Sequence, residues 1–584
     1  MTTTRKILSR HSFFQANQQS SGWAAIASTR GPIAEYLKRA RNKVEVPTPN
    51  IGKDKQAVII GAGVAGLTSA YELLANEIGC SCVILEANQR VGGRNLTVRP
   101  RDTIKEEGFE PQECTFKSEK SQTYEPYLNA GPGRIPSAHT HLLDYLKRFK
   151  VPLEVYVMDS RSNLTYMEGS FGNRSVPNRR LDNDTRGWIA QMLFHLLNNY
   201  KSVYLSPKEI EQFKQLLERF GDLKAVGDDR GFYLGSDRSG YTHLPGVGAG
   251  EIEKPLPLKE LLQSEFWARG TSFYQPQDFL WQPTLFQPVG GMDRVVDAFK
   301  ERVEQLGCKI ELGAVVEHIS YNSDTEKYSI SYRQGDREVI VNADYCFSNI
   351  PIPLLKGVLD NEHFDKDFRE ALEAVYEAQY GNGKSTSADG EYQAKFLADT
   401  TKVGWQAERN LWQKAEGSGN VPIYGGISWT SDEIVQIWYP SDNYHDQLGV
   451  LTGAYNFRSV ARDWGGKPPQ ERLELARKGA RNLGGDEFAD GLDHGLAIAW
   501  QNMSHIKGGW ANWDVVEEKE LHYNNLIQGN KNFYIVGDQL SALPGWQEGA
   551  VVSAINAVNR VADSKYFVPE LDVLPDTRLM VECI

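Results

Sequence analysis

Two apolar rhythms alternate along this chain, and the clearest switch between them falls within residues 57–75. Ala57, Val58, Ile59 and Ile60 make a short continuous run suited to a strand buried on both faces. The run breaks at Gly61, Gly63 and Gly66 and resumes at helical spacing over 67–75, with a second strand at 82–85. The pattern is strand, glycine turn, helix, strand. Helical spacing returns at 137–149, where Leu142, Leu143, Leu146 and Phe149 share a face, then across 188–219 and at 258–267. Two-residue alternation predicts strands at 309–312 and 315–321, then a hairpin and a further strand in YSISYRQ and REVIVNADYCFSN. IYGGISWTSDEIVQIWYPSDNY and GVLTGAYNF predict a second sheet, and a strand at 533–536 leads into a helix over about 545–561.

Breakers mark the connections. A helix at 33–42 runs into the Pro-broken VEVPTPN, residues 101–125 carry dense charge without a period, and 376–395 reads as an exposed Gly, Ser and Asp insertion.

With 584 residues the chain can hold two or three domains, each with its own core. A formal net charge of -12 argues against a nucleic-acid or anionic-membrane partner, since both reward a basic face. A small-molecule partner suits it better. Cys80 and Cys82 are too close along one strand for an ordinary bridge, and the cysteines show no zinc-type spacing, so they read as buried thiols in a reducing compartment. No apolar run reaches membrane-spanning length and no secretory signal is seen, which points to the cytoplasm. Arg5, Lys6, Arg10 and Arg30 lie in a stretch without acids, read either as a structured arm or as an organelle transit segment.

The glycine turn carries the first chemistry. Gly61 permits the tight turn, Gly63 lets backbone approach a pyrophosphate, with Ala65 counted in the same cofactor-binding turn, and Gly66 lets the helix pack on the sheet. Glu86 lies about 20 residues further on, where a carboxylate can accept both ribose hydroxyls. Gly92 and Gly93 allow a second close backbone approach, and Arg94 offers a fork of donors to a phosphate.

Further along, the Gly131, Pro132, Gly133 turn presents Arg134, suited either to gripping a carboxylate or to capping a loop. Asp293 is placed to cap the helix after GGM. Lys402, in a strand-like stretch, is by itself a charge leaving a strand, and Trp438, Tyr439 and Tyr455 are core aromatics.

Glu86 followed by the GGR turn, together with GPGR, GGMD, the Lys402 strand and the terminal GDQLSALPGWQEGA, resembles the flavin monoamine oxidase family, which includes L-amino acid and polyamine oxidases. The resemblance implies FAD, and an α/β fold of a Rossmann-like FAD-binding domain, a mixed-sheet substrate domain and a helical insertion. On that pattern 51–110, 285–350 and 525–565 form the FAD domain. Residues 1–50, 111–140 and 351–524 form the substrate domain, and 141–284 a mainly helical one.

It further implies that Gly131 to Gly133 lie beside the flavin, that Val316 and Ile319 flank adenine, and that Asp538 accepts a ribityl hydroxyl. Many family members have Glu at that last position. Gly545, Trp546, Gln547 and Ala550 bring a helix N-terminus to the ring. Arg134 becomes the anchor of a substrate carboxylate, Lys402 holds a water at flavin N5, and Tyr455 and Trp546 cage the amine. Trp510, with Gly508 and Gly509, joins the pocket wall. Aromatic or large apolar substrates suit these Trp-rich surroundings, whereas an acid brought in by the insertion would favour Arg or Lys.

The implied reaction is oxidation of an L-amino acid by hydride transfer from Cα, with dioxygen giving hydrogen peroxide, then hydrolysis to a 2-oxo acid and ammonia. No metal is needed, and a homodimer or larger homo-oligomer is expected. Two alternatives stay open: a monooxygenase that decarboxylates the amino acid to an amide, and a flavin-fold protein without activity.

Overall fold

The computed structural model describes residues 43–563 except 120–123, 200–203, 269–272, 382–391 and 415–421, together with 565, 566, 568, 571 and 574. A five-stranded parallel sheet forms the first unit, in the order Lys309–Leu312, Ser81–Glu86, Gln56–Ile60, Tyr345–Ser348, Phe533–Ile535. Its strands come from widely separated stretches. Ala57, Ile59 and Ile84 face one core, with the helices Val64–Ala75, Thr140–Phe149, Arg294–Gln305 and Gln547–Ala562. Val58, Ile60 and Leu85 point the other way, toward the antiparallel sheet Ala314–Asn322, Lys327–Gln334, Arg337–Ala343 and the helices Lys366–Tyr380 and Lys519–Ile527. A strand covered on both faces must be apolar at every position, which is why the run of 57–60 is continuous. Each such buried aliphatic contributes about 1.5–3 kcal/mol.

The second unit is a seven-stranded mixed sheet, in the order Val176–Pro177, Leu164–Tyr166, Ile427–Thr430, Gln436–Trp438, Leu448–Phe457, Thr400–Glu408, Asp493–Ala499. The helix Pro469–Asp490 closes one side of it over Val403, Trp405 and Leu451. Thr400–Glu408 is buried over all but its last residue, and Lys402 stands within it opposite Tyr455 and Ile498. A lysine at the centre of a buried strand is not a charge leaving that strand.

Several expectations need correction. The mainly helical unit does not span 141–284: Thr140–Phe149 packs beneath the parallel sheet, Leu153–Tyr156 joins a small sheet with Ile135–Pro136 and Leu285–Pro288, and Leu164–Tyr166 and Val176–Pro177 join the large one. The helices that fit the description are Asn178–Leu196, Pro207–Phe220 and Leu258–Ser264. Asp293 makes no side-chain cap, because its carboxylate is spent on Arg99 at 2.6 and 2.8 Å. The insertion begins later than residue 376, since Lys366–Tyr380 is helical, and most of the remainder lies outside the described residues, as does the predicted helix at 33–42. No helix among the described residues is long and apolar enough to cross a membrane. Among the described residues, no group of three His, Cys, Asp or Glu could hold a metal ion.

Candidate functional site

A cavity of about 290 Å³ runs between the two units, from Glu86 at one end to Tyr455 and Trp510 at the other. Its nucleotide end is built by the first strand–turn–helix. Gly61, Gly63 and Ala65 line it, and the helix Val64–Ala75 begins with no side-chain cap, so its first amides are available to an anion. A Cβ on Gly63 would stand 2.6 Å from Asn349 Oδ1. Gly66 does not line the cavity; a Cβ there would meet the Gly61 carbonyl oxygen at 2.0 Å, so its task is helix–turn packing.

Glu86 is fixed by three donors. The Ala62 N–H reaches Oε2 at 2.7 Å, and the Asn88 N–H and Nδ2 reach Oε1 at 2.9 and 2.8 Å. Oε1 is thereby filled, while Oε2 keeps one lone-pair site for a ribose hydroxyl. A cradle with uncapped amides, no room for side chains at its glycines and a pinned carboxylate fits the adenosine and pyrophosphate of FAD. Val316 lines the same end, but Ile319 does not: a bulge between Val316 and His318 brings Val316 and Ile319 onto one face, and Ile319, further along the strand, packs into the core.

Arg94 lines the cavity, but part of its donor fork is already shared. Its Nη1 donates to Asp538 Oδ2 at 3.0 Å and to the Gly509 carbonyl at 2.7 Å, and its Nη2 donates to Asp538 Oδ1. The terminal nitrogens meant for a phosphate are engaged by a carboxylate. Asp538 in turn has both oxygens occupied, since Oδ2 also accepts from the Gly545 N–H at 2.8 Å. Asp538 therefore joins two turns rather than standing ready for a ribityl hydroxyl alone.

Gly545, Trp546, Gln547 and Ala550 line the cavity at the start of the helix Gln547–Ala562, which has no side-chain cap either. Gln547 Oε1 accepts from Asn95 Nδ2 at 2.9 Å. Glu548, in the first turn, accepts from the Leu142 N–H at 2.8 Å and from the His141 N–H and Nδ1 at 3.1 and 2.6 Å. Burial opposes its charge, but these bonds hold it below the ordinary carboxylate range. One carboxylate thus joins the N-termini of two helices, the flavin-side helix and the one that follows the Arg134 turn.

Gly131 and Pro132 line the cavity, whereas Gly133 lines a smaller neighbouring pit. Arg134 lies behind the turn, only 5% exposed, in a box of indoles: its Cζ is 3.5 Å from the ring centre of Trp281, 4.8 Å from Trp438 and 5.7 Å from Trp546. No carboxylate among the described residues pairs with it, and its buried Nε has no hydrogen-bond partner. Burial brings its pKa down to about 10, with Tyr156 and Tyr455 opposing.

Lys402 Nζ donates to the carbonyls of Asn129 and Gly131 at 3.1 and 2.6 Å and stands 4.7 Å from the Tyr455 ring centre. Burial, then Arg134, lowers its pKa to about 7. Tyr455, Trp510 and Trp546 all line the cavity, and Phe457 bridges Tyr455 and Trp510 at 4.5 and 5.6 Å between ring centres. His139 packs edge-on against Trp546 at 4.9 Å, and burial lowers its pKa to about 4, leaving it neutral.

Sequence reasoning did not find Trp281 or Tyr156, and it placed Trp438 in the core. Trp438 sits in an alternating strand, where an inward aromatic looks the same whether it faces a core or a ligand. Trp281 comes from a loop with no period of its own. Asn349 bonds the Val536 carbonyl at 2.9 Å beside the glycine turn, and no local pattern marked it.

A sequence profile described as flavin containing amine oxidoreductase matches residues 64–562. An L-amino acid oxidase of Crotalus durissus cumanensis is 31% identical over 538 residues, covering 91% of this chain and 94% of that protein. A flavin-dependent L-tryptophan oxidase of Lentzea aerocolonigenes is 23% identical over 528 residues, covering 87% of this chain and 98% of that protein. A solved structure of wild-type putrescine oxidase bound to putrescine matches with a TM-score of 0.51 at 16% identity, covering 87% of this chain and 98% of that one. That likeness is one of fold.

Proposed function

This chain belongs to the flavin-containing amine oxidoreductases, with FAD as its cofactor, and within that family we propose that it oxidises L-α-amino acids to 2-oxo acids. The observation that carries the reading is Arg134: a buried guanidinium with no acid partner among the described residues and an unused Nε. A buried charge left alone is costly, and a substrate carboxylate is the group that would complete it. A simple amine or diamine brings no anion to that position. The relatives named as L-amino acid and L-tryptophan oxidases support the same class.

The residues then divide the work. Arg134 grips the carboxylate and fixes the direction of Cα. Tyr455 and Trp546 confine the amine and exclude water from it. Two cationic side chains, Arg134 and Lys402, without a compensating carboxylate among the described residues, disfavour an ammonium group and favour the neutral amine from which oxidation proceeds. Lys402, tethered to two carbonyls and titrating near neutrality, can hold or release a proton beside the cage. FAD, when bound, supplies the hydride acceptor and the reaction with dioxygen that yields hydrogen peroxide. The uncapped N-terminus of the helix Gln547–Ala562 offers positive potential to developing negative charge at that end of the cavity.

The test is an anaerobic titration of the yellow holoenzyme with a panel of L-amino acids, followed by product analysis in air. Bleaching with an L-amino acid, then 2-oxo acid, ammonia and peroxide, is the expected result. Carbon dioxide and an amide would assign the monooxygenase chemistry instead, and absence of bleaching across the panel would end the amino acid reading.

A further inference from the structure

Trp438 touches both buried cations. Its ring centre lies 4.8 Å from Arg134 Cζ and 5.1 Å from Lys402 Nζ, and it meets the Tyr455 ring edge-on at 5.2 Å. The indole is pinned by Nε1–H donating to Gln436 Oε1 at 2.6 Å. It is wedged against the turn that carries Arg134: a Cβ on Gly133 would approach its Cζ3 to 3.1 Å. Trp281 also packs against the guanidinium, at 3.5 Å.

Like charges in a buried box repel without the damping of water. The indole attracts each cation to its π system, keeps solvent from entering between them and prevents either from swinging away. A carboxylate arriving at Arg134 would offset the guanidinium charge and relieve the repulsion on Lys402. Given the anchor role assigned to Arg134 above, on which this inference rests, we propose that Trp438 is a positioning residue that holds Arg134 and Lys402 in fixed register, so that binding of the substrate carboxylate is felt at Lys402 as uptake of a proton.

The surroundings leave Lys402 as the group that responds. From the strand Leu448–Phe457 it faces the Tyr455 phenol, which burial holds in its neutral form. From the strand Asp493–Ala499 its partner is the apolar Ile498. From the turn it meets two carbonyls and Arg134. Beside Arg134 stand Tyr156, likewise kept neutral by burial, and His139, already neutral and backed by Glu548. The sign follows: losing the repulsion from Arg134 raises the proton affinity of Lys402, so near pH 7 protons are taken up, not released.

Calorimetry of benzoate binding to the oxidised holoenzyme near pH 7, in buffers of different ionisation heat, reads this directly. Net proton uptake is expected in the wild type and its loss in K402M with benzoate still bound. In W438L benzoate should bind more weakly and the uptake should disappear, while W438F, which keeps a ring, should retain it. The kcat/KM pH profile for an L-amino acid should lose its inflection near neutrality in W438L. Should W438L fail to fold or to hold FAD, W438M replaces it with the same expectation. No uptake in the wild type, or equal uptake in W438L or W438M, overturns the proposal. Benzoate binding that ignores R134M overturns the anchor role itself, so the two failures are distinguishable.

Discussion

Arg94 and Asp538 stand 444 residues apart in sequence and meet as a two-pronged ion pair. One belongs to the second glycine turn of the nucleotide unit, the other to the turn before the terminal helix. Because Asp538 also takes the Gly545 N–H and Arg94 the Gly509 carbonyl, the pair holds three segments around one end of the cavity.

R94K keeps the charge but cannot reproduce the fork. The loss of one charge-assisted hydrogen bond, about 1.5–3 kcal/mol, should loosen FAD roughly ten- to a hundredfold. Titration of the apoprotein with FAD measures it, and an unchanged Kd would show that the pair has no bearing on the cofactor site.

R134M should lower kcat/KM for L-amino acids by about 2–5 kcal/mol, the range for removing one partner of a buried charge pair. Oxidation of a simple primary amine, which has no carboxylate to lose, should be unaffected or improved. Steady-state kinetics on both substrates decide it; a parallel loss on the amine would mean that the turn itself has been damaged.

Lys402 gives a pH dependence of stability. Its folded-state pKa of about 7 lies below the ordinary 10.5, so between these values the unfolded chain binds more protons than the folded one and stability rises with pH. Below about 7 both states are protonated and the full cost of burying the charge is present. K402M should therefore raise Tm relative to the wild type, and by more at pH 7 than at pH 10. A Tm difference that is flat over this range would contradict the burial.

The loop before Leu285–Pro288 places Trp281 beside Arg134, with no carboxylate paired there among the described residues, while Asp442 lines a separate pit with Gly133 and Trp438. Aromatic and large apolar L-amino acids should therefore be oxidised in preference to L-arginine and L-lysine. Trp281→Leu should shrink that preference by reducing the aromatic wall. Relative rates across a substrate panel test this, and an unchanged ranking in the variant would remove Trp281 from the specificity wall.

Much of the nucleotide unit was legible without coordinates because its rules are local. An apolar run, glycines at fixed offsets and a carboxylate at the end of the next strand act within one supersecondary unit, and Gly61, Gly63 and Glu86 sit as such a unit places them. Where a residue's local geometry is ambiguous, the reading went astray. Asp293 has the spacing of a helix cap, yet Arg99, just past the short strand Thr97–Val98, outcompetes the helix amides for it. Ile319 shares a face with Val316 only through a bulge between them, and it lies past the cavity, in the core.

By itself the sequence determined the strand–glycine–helix frame, the acidic end of the nucleotide site and the candidates Arg134, Lys402, Tyr455 and Trp546. Only the tertiary structure decided that Arg134 has no acidic partner among the described residues, that Trp281 and Trp438 pack against it, and that Arg94 answers to Asp538. The reason is physical: hydrogen-bonded turns and side-chain periods are set by neighbours a few residues away. The dielectric around a charge is set instead by whatever distant segments fold over it.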